Sequence, residues 1–237
     1  MKRYVSIILP TLNEEKNINK LVFLIKKKFK YNYYDIIFVD DNSTDKTRDK
    51  IIEISKKYKS IKYIFRKERN LATAFLAGVK KSRSEFIILM DSDLQHDPSN
   101  LNRVTNIIIK KNSDIVIGSR FLKKSKYNKH KLSTLLRISL SKTFNLIFNQ
   151  IFNTCVTDPL SGFFIAKREV LINNQDKLFK SGFKIILDYL IILRSKYKIS
   201  ECPITLNERL EGKSKLNLKI LLLIVKQIFF YMRRSND

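Results

Sequence analysis

Two aspartates, Asp91 and Asp93, close a short apolar run, Phe86-Ile-Ile-Leu-Met90, and Gln95 follows directly after Leu94. Residues at i and i+2 of an extended segment point to the same side. Two carboxylates so arranged can share one hard divalent cation, with a diphosphate completing its shell. Mg²⁺ in particular favours few carboxylates plus phosphate oxygens. Taken alone, the stretch reads more readily as a strand followed by a helix cap, since Asp97-Pro98 is a good N-cap and N1 pair.

Two other polar loops follow apolar runs. Pro10-Thr-Leu-Asn-Glu14 and Asp40-Asp-Asn-Ser-Thr-Asp45 read either as a turn and a helix cap, or as places where Glu14 and Asp41 accept hydrogen bonds from a base or ribose. The five glycines form neither a G-x-G-x-x-G nor a Walker loop, which argues against dinucleotide oxidoreduction and P-loop chemistry. Cys155, Cys202, His96 and His130 have no partner set for metal or nucleophilic chemistry, and two unspaced cysteines suit a reduced, cytosolic setting.

The elements that must position these residues alternate. Strands are expected at Val5–Leu9, Asp35–Val39, Ile61–Phe65, Phe86–Met90 and Asp114–Gly118. Helices are expected at Glu14–Phe29 with Asn13 as N-cap, from the Asp40–Asp45 loop to about Tyr58, at Leu71–Lys81 and at Pro98–Lys111. Nearly all-apolar strands separated by helices imply an α/β fold with a mostly parallel central sheet flanked by helices. Ligands bind such sheets beyond the carboxyl ends of the strands, where all three polar loops would lie. Farther on, helices are expected at Leu132–Phe152, Lys184–Lys196 and from about Leu216, with a strand near Ile199–Leu206. No repeat or linker interrupts the chain, so residues 1–237 are read as one domain.

The 237 residues are 44% hydrophobic, enough for a sizeable core. Forty-seven basic against 22 acidic residues give a net charge of +25, which suits nucleic acid, an anionic membrane or phosphorylated substrates, or reflects an AT-rich genome. Strand-end aspartates would repel a nucleic-acid backbone, and the basic–aromatic signatures of nucleic-acid modules are missing. The reading is therefore no nucleic acid.

Leu9-Pro-Thr-Leu-Asn-Glu-Glu15, Val39-Asp-Asp-Asn-Ser-Thr-Asp45, Met90-Asp-Ser-Asp-Leu-Gln-His96, Gly118-Ser-Arg120, Asp158-Pro-Leu-Ser-Gly-Phe163 and Gly212-Lys-Ser-Lys215 occur in that order. Together they resemble a family 2 glycosyltransferase of the dolichyl-phosphate (polyprenyl-phosphate) mannosyltransferase type. The resemblance implies a GT-A (Rossmann-like) fold, a nucleotide-sugar donor, Mg²⁺ or Mn²⁺, and a polyprenyl-phosphate lipid acceptor. It implies an inverting transfer of a hexose, mannose from GDP-mannose in the first instance. The alternative is a UDP-sugar such as UDP-glucose, acting on polyprenyl phosphate or a glycan hydroxyl.

Carried over by the resemblance, Asp91, Asp93 and Gln95 match the metal-binding segment, and Pro10, Leu12, Glu14 and Asp41 match positions lining the nucleotide. The family often has an aromatic residue where Leu12 stands, which weakens base stacking here. Arg120, Arg137, Ser141 and Arg209 resemble the group that holds the acceptor phosphate, with Lys215 also facing phosphate. Guanidinium forks match phosphate oxygens bidentately. Asp91, Asp93, Arg120 and Arg209 are the expected catalytic residues. Ser161-Gly162 would approach the sugar through its backbone, and Asp188 is a sugar contact, or the base if the acceptor is a hydroxyl.

Stretches 132–155 and 216–234 combine apolar residues with lysine and arginine. They read as core helices or as helices lying in a membrane interface. No apolar run approaches the roughly 18 residues needed to cross a bilayer. Some relatives carry transmembrane helices beyond this domain. The expectation here is a peripheral enzyme at the cytoplasmic face of the membrane, or one that works with a separate membrane subunit.

Overall fold

The computed structural model describes residues 4–127, 132–179, 184–207 and 218–234. In chain order the elements are β1 Val5–Thr11, α1 Ile18–Lys28, β2 Tyr34–Asp40, α2 Thr47–Lys57, β3 Ile61–Phe65, α3 Leu71–Lys81, β4 Phe86–Leu89, α4 Ser99–Lys111, β5 Ile115–Ser119 and β6 Lys126–Tyr127. There follow α5 Leu132–Phe152, β7 Phe164–Lys167, α6 Arg168–Asn173, α7 Ile185–Leu193, β8 Ile199–Pro203, β9 Thr205–Leu206 and α8 Leu218–Arg234.

Seven strands form one sheet in the order β3-β2-β1-β4-β7-β5-β8. All neighbours pair in parallel except β7, which runs antiparallel to both β4 and β5. Successive side chains of a strand face opposite ways, and the core divides accordingly. Ile8, Ile37, Val39, Ile87 and Ile117 pack on one face with residues of α3, α5, α7 and α8. Ile7, Ile36, Phe38, Ile88 and Val116 pack on the other with α1 and α4. Both faces of the central strands are thus dry, which is why they read as continuous apolar runs.

The alternation expected from the sequence is present, with two corrections. Helix α1 begins at Ile18, because Asn13 adopts a left-handed φ of 56° and its side-chain oxygen accepts from Thr44 N at 2.8 Å. Asn13 is therefore a loop staple and not an N-cap. The second correction is β7, which the sequence pattern does not reveal. Its reversed direction brings the loop that precedes it, Asp158–Phe163, to the edge where β1, β2, β4 and β5 end. Gly118 N bonds Phe163 O at 2.9 Å and fixes that meeting.

Candidate active site

The loop after β1 and the loop after β2 are tied together. Asn13 N donates to Ser43 Oγ and Glu14 N to Thr47 Oγ1, each at 2.8 Å. Asp40 anchors its own loop from within, bonding Ser43 and the Arg48 guanidinium. Asp41, 7% exposed, accepts from Arg66 Nη1 at 2.6 Å and from Asn70 N at 2.9 Å. Burial nevertheless outweighs those donors and raises its carboxyl above the usual range. Glu14 is half-buried and accepts from Asn17 Nδ2 at 2.6 Å, while the Pro10 carbonyl accepts from Ser92 Oγ at 3.0 Å. Leu12 sits half-buried at the bend between them. These residues form one pinned wall.

After β4 the chain leaves the extended conformation at once. Asp93 Oδ1 accepts from Gln95 N at 3.1 Å, and Leu94 between them takes a φ of 64°. A branched side chain in the left-handed region stores strain, a state that tends to occur at functional turns. Asp93 is buried, whereas the Asp91 side chain is 39% exposed. A Cβ added to Gly162 would lie 2.8 Å from Asp91 Oδ2, so a larger residue there would push this carboxylate from its place. Ser161, beside it, donates its hydroxyl to the Gly118 carbonyl at 2.7 Å, which makes that side chain a stitch between loops.

The donor set suits a divalent cation that keeps open positions. Two carboxylates and the Gln95 side chain stand on one turn, and among the described residues no group of three His, Cys, Asp or Glu forms a closed cage. Mg²⁺ and Mn²⁺ are held in this way when substrate phosphates fill the remaining positions.

Arg120 follows β5 and is gripped by the fully buried Asp158. The guanidinium bonds both carboxylate oxygens, at 2.8 and 2.7 Å, and Arg120 N adds a third bond at 3.0 Å. Such a fork fixes the plane of the guanidinium. Lys184, just before α7, belongs to the same charge cluster, with Asp91, Arg120, Asp158 and Asp93 as its neighbours in the field. Its surface is only partly covered, yet its ammonium is enclosed, and that burial lowers its pKa. Sequence reasoning does not find Lys184, since one lysine in a chain this basic carries no signal. His96, which lacks partners in the sequence pattern, lies with Nε2 3.8 Å from Asp91 Oδ2.

One expected residue falls elsewhere. Asp188 is fully buried on α7 and accepts from Gln227 Nε2 of α8 at 2.6 Å. It faces the helix pair and does not join the strand-end loops. Ser141 is half-buried on α5. The side chain of Arg137, and Arg209 and Lys215 entirely, lie outside the described residues.

Residues 6–173 match Glycosyl transferase family 2. A dolichol-phosphate mannosyltransferase of Pyrococcus furiosus is 35% identical over 98% of this chain, which spans 65% of that relative's length. A dolichol-phosphate mannosyltransferase of Saccharomyces cerevisiae is 28% identical over 94% of the chain and 85% of the relative. Among solved structures, glucosyl-3-phosphoglycerate synthase from Mycobacterium tuberculosis, with Mn²⁺ and UDP, superposes with a TM-score of 0.65 at 21% identity, covering 96% of this chain and 77% of that one. A mannosyltransferase from Pyrobaculum calidifontis, with GDP-Man and Mn²⁺, gives 0.64 at 16% identity, covering 90% and 59%.

Proposed function

The chain belongs to glycosyl transferase family 2, and from that premise we propose that it moves mannose from GDP-mannose onto a polyprenyl or dolichyl phosphate. Its fold is the GT-A arrangement of a mostly parallel sheet flanked by helices. The observation that carries the reading is the gathering of opposite charges at one strand edge. Asp91 and Asp93 meet the field of Arg120 and Lys184 there, beside the wall formed by the loops after β1 and β2. Support for mannosyl transfer to a lipid phosphate comes from the names of the relatives that match most of the chain.

In the proposed reaction an acceptor phosphate oxygen attacks the anomeric carbon from the side opposite the nucleotide. The bond from that carbon to the diphosphate breaks, its electron pair leaves on the diphosphate, and configuration inverts. A divalent cation, Mg²⁺ or Mn²⁺, held by Asp91, Asp93 and Gln95 would neutralise charge on the departing diphosphate when bound. Asp41, Glu14, Pro10 and Leu12 would orient the nucleoside. Asp158 keeps Arg120 turned in one plane, and Arg120 would hold the acceptor phosphate with Arg137, Ser141, Arg209 and Lys215. Lys184 would add positive charge where phosphates converge. A phosphate monoester is already ionised near neutral pH, so no general base is required and orientation with electrostatics can supply the rate. The burial of Asp188 against Gln227 accords with a mechanism that has no base.

The test is transfer from radiolabelled GDP- and UDP-sugars to polyprenyl phosphate in detergent, with Mn²⁺ or EDTA. The expected outcome is organic-extractable label from GDP-mannose that EDTA abolishes. Label from a UDP-sugar alone would overturn the mannose assignment, and label on no lipid would overturn the acceptor.

We further propose that the protein works peripherally on the cytoplasmic membrane surface, directly or through a separate membrane subunit. Among the described residues no helix is long and apolar enough to cross a membrane. Leu146, Ile147 and Ile151 of α5 and Leu222, Val225 and Phe229 of α8 are exposed, with Lys142, Lys226 and Arg233 exposed among them. Apolar side chains interleaved with basic ones suit an anionic lipid interface. Vesicles containing anionic lipid should float the protein at low salt. Phe229→Ser should weaken that binding about 10- to 150-fold, since burying a phenylalanine contributes about 1.5–3 kcal/mol. Equal flotation of both proteins would argue against α8 as the lipid-facing element.

A further inference from the structure

His96 is 6% exposed, and its ring stacks on Phe163 with centroids 5.1 Å apart and planes inclined by 22°. Its backbone is equally constrained. Asp97 N bonds Thr205 O at 3.3 Å, Asn207 N bonds Gln95 O at 2.8 Å, and His96 itself bridges Leu206. A ring held at backbone and face has little freedom to turn. Nδ1 is buried without a hydrogen-bond partner, while Nε2 looks toward Asp91 Oδ2 at 3.8 Å. An N–H on Nε2 of an imidazole so placed faces a carboxylate oxygen able to accept a hydrogen bond from it.

Asp91 Oδ2 is bounded on another side by Gly162, whose missing Cβ would stand 2.8 Å away. The carboxylate therefore rests in a notch with a backbone wall on one side and an N–H-bearing ring on the other. Phe163, next in sequence to Gly162, supports that ring. At 3.8 Å the contact is electrostatic, and a shift of about an ångström makes it a hydrogen bond of ordinary length, ~2.9 Å.

We propose that His96 is a positioning residue, which directs Nε2–H at Asp91 Oδ2 and so holds the carboxylate in the orientation that binds a divalent cation. This rests on the metal role given above to Asp91, Asp93 and Gln95. Groups that hydrogen-bond to metal ligands set affinity as well as geometry, and their loss commonly weakens metal binding by about 10- to 100-fold.

The test is Mn²⁺ titration in the presence of GDP, with free Mn²⁺ followed by its electron paramagnetic resonance. His96→Phe keeps the stacked ring and removes the N–H, and its Mn²⁺ affinity is expected to fall about 10- to 100-fold. His96→Gln brings an amide N–H to the place of Nε2 and should recover most of the affinity. His96→Asn reaches only the place of Nδ1 and should not. The Gln and Asn variants are both polar and of similar bulk, so their comparison stands if the Phe variant fails to fold. An affinity of the His96→Phe protein within about twofold of wild type, or equal affinities for the Gln and Asn variants, would overturn the proposal while leaving the metal site intact. No Mn²⁺ binding by the wild-type protein would overturn both.

Discussion

Asp91→Asn is expected to lower transfer about 10²- to 10⁴-fold at saturating donor and acceptor. Electrostatic stabilisation of a leaving group by a bound cation contributes several kcal/mol, and each 1.36 kcal/mol is about tenfold in rate. The substitution removes charge at the rim of the site and leaves the core alone, because this side chain is 39% exposed. Its thermal midpoint should accordingly move by no more than a few degrees. Asp93→Asn should lose activity similarly, although Asp93 also accepts from Gln95 N and shapes the turn. Steady-state rates over a Mn²⁺ series, paired with thermal denaturation, check both variants. Near-normal turnover of the Asp91→Asn protein would remove the metal from the mechanism.

A second large effect belongs to stability. Burial raises the Asp188 carboxyl to about 7 from the 3.8 of an ordinary aspartate. Its Oδ1 accepts from Gln227 Nε2, but Oδ2 and Gln227 Oε1 are both buried acceptors with no hydrogen-bond partner. A proton on the carboxyl removes the buried charge that desolvation penalises. Tyr231 is the other polar side chain of α8 near it, and Phe179 N approaches from the segment before α7. The native state thus keeps a proton that the unfolded chain loses above about pH 4. Stability should fall as pH rises from about 4 to about 7, by on the order of 4 kcal/mol, and then level off. Asp188→Asn cannot titrate, and its amide can still pair with Gln227. The variant should be more stable than wild type at about pH 8 and similar to it at about pH 4–5. Denaturant midpoints of both proteins across that range give the comparison. A wild-type-minus-variant difference that does not change with pH would show that Asp188 is charged in the native state.

Much of the candidate site is legible in the sequence because its residues are grouped locally. Asp91, Asp93 and Gln95 stand on one turn, and the Asp40–Asp45 loop declares itself by composition at a strand end. Alternating apolar runs mark the parallel strands and their helices. The strand β7 escapes notice because it is four residues long and its antiparallel partners lie far away in sequence. The start of α1 is displaced because Asn13 bonds across to Thr44, a tertiary contact that overrides capping preference. His96 looks solitary for the same reason: the ring it stacks on, Phe163, enters through β7. Asp188 resembles a site carboxylate until the packing of α8 over α7 sets its surroundings.

The reversed strand has a mechanical consequence. One short loop, Asp158–Gly162, carries at one end the carboxylate that clamps Arg120 and at the other the glycine against which Asp91 rests. The residue proposed to hold the acceptor and the one proposed to hold the donor's metal therefore share a single support. Under the proposed roles, displacement of that loop would carry both in the same direction, so the gap between nucleophile and anomeric carbon would vary less than either position alone. Two supports on separate parallel strand ends would fluctuate independently, and their errors would add across the bond being formed.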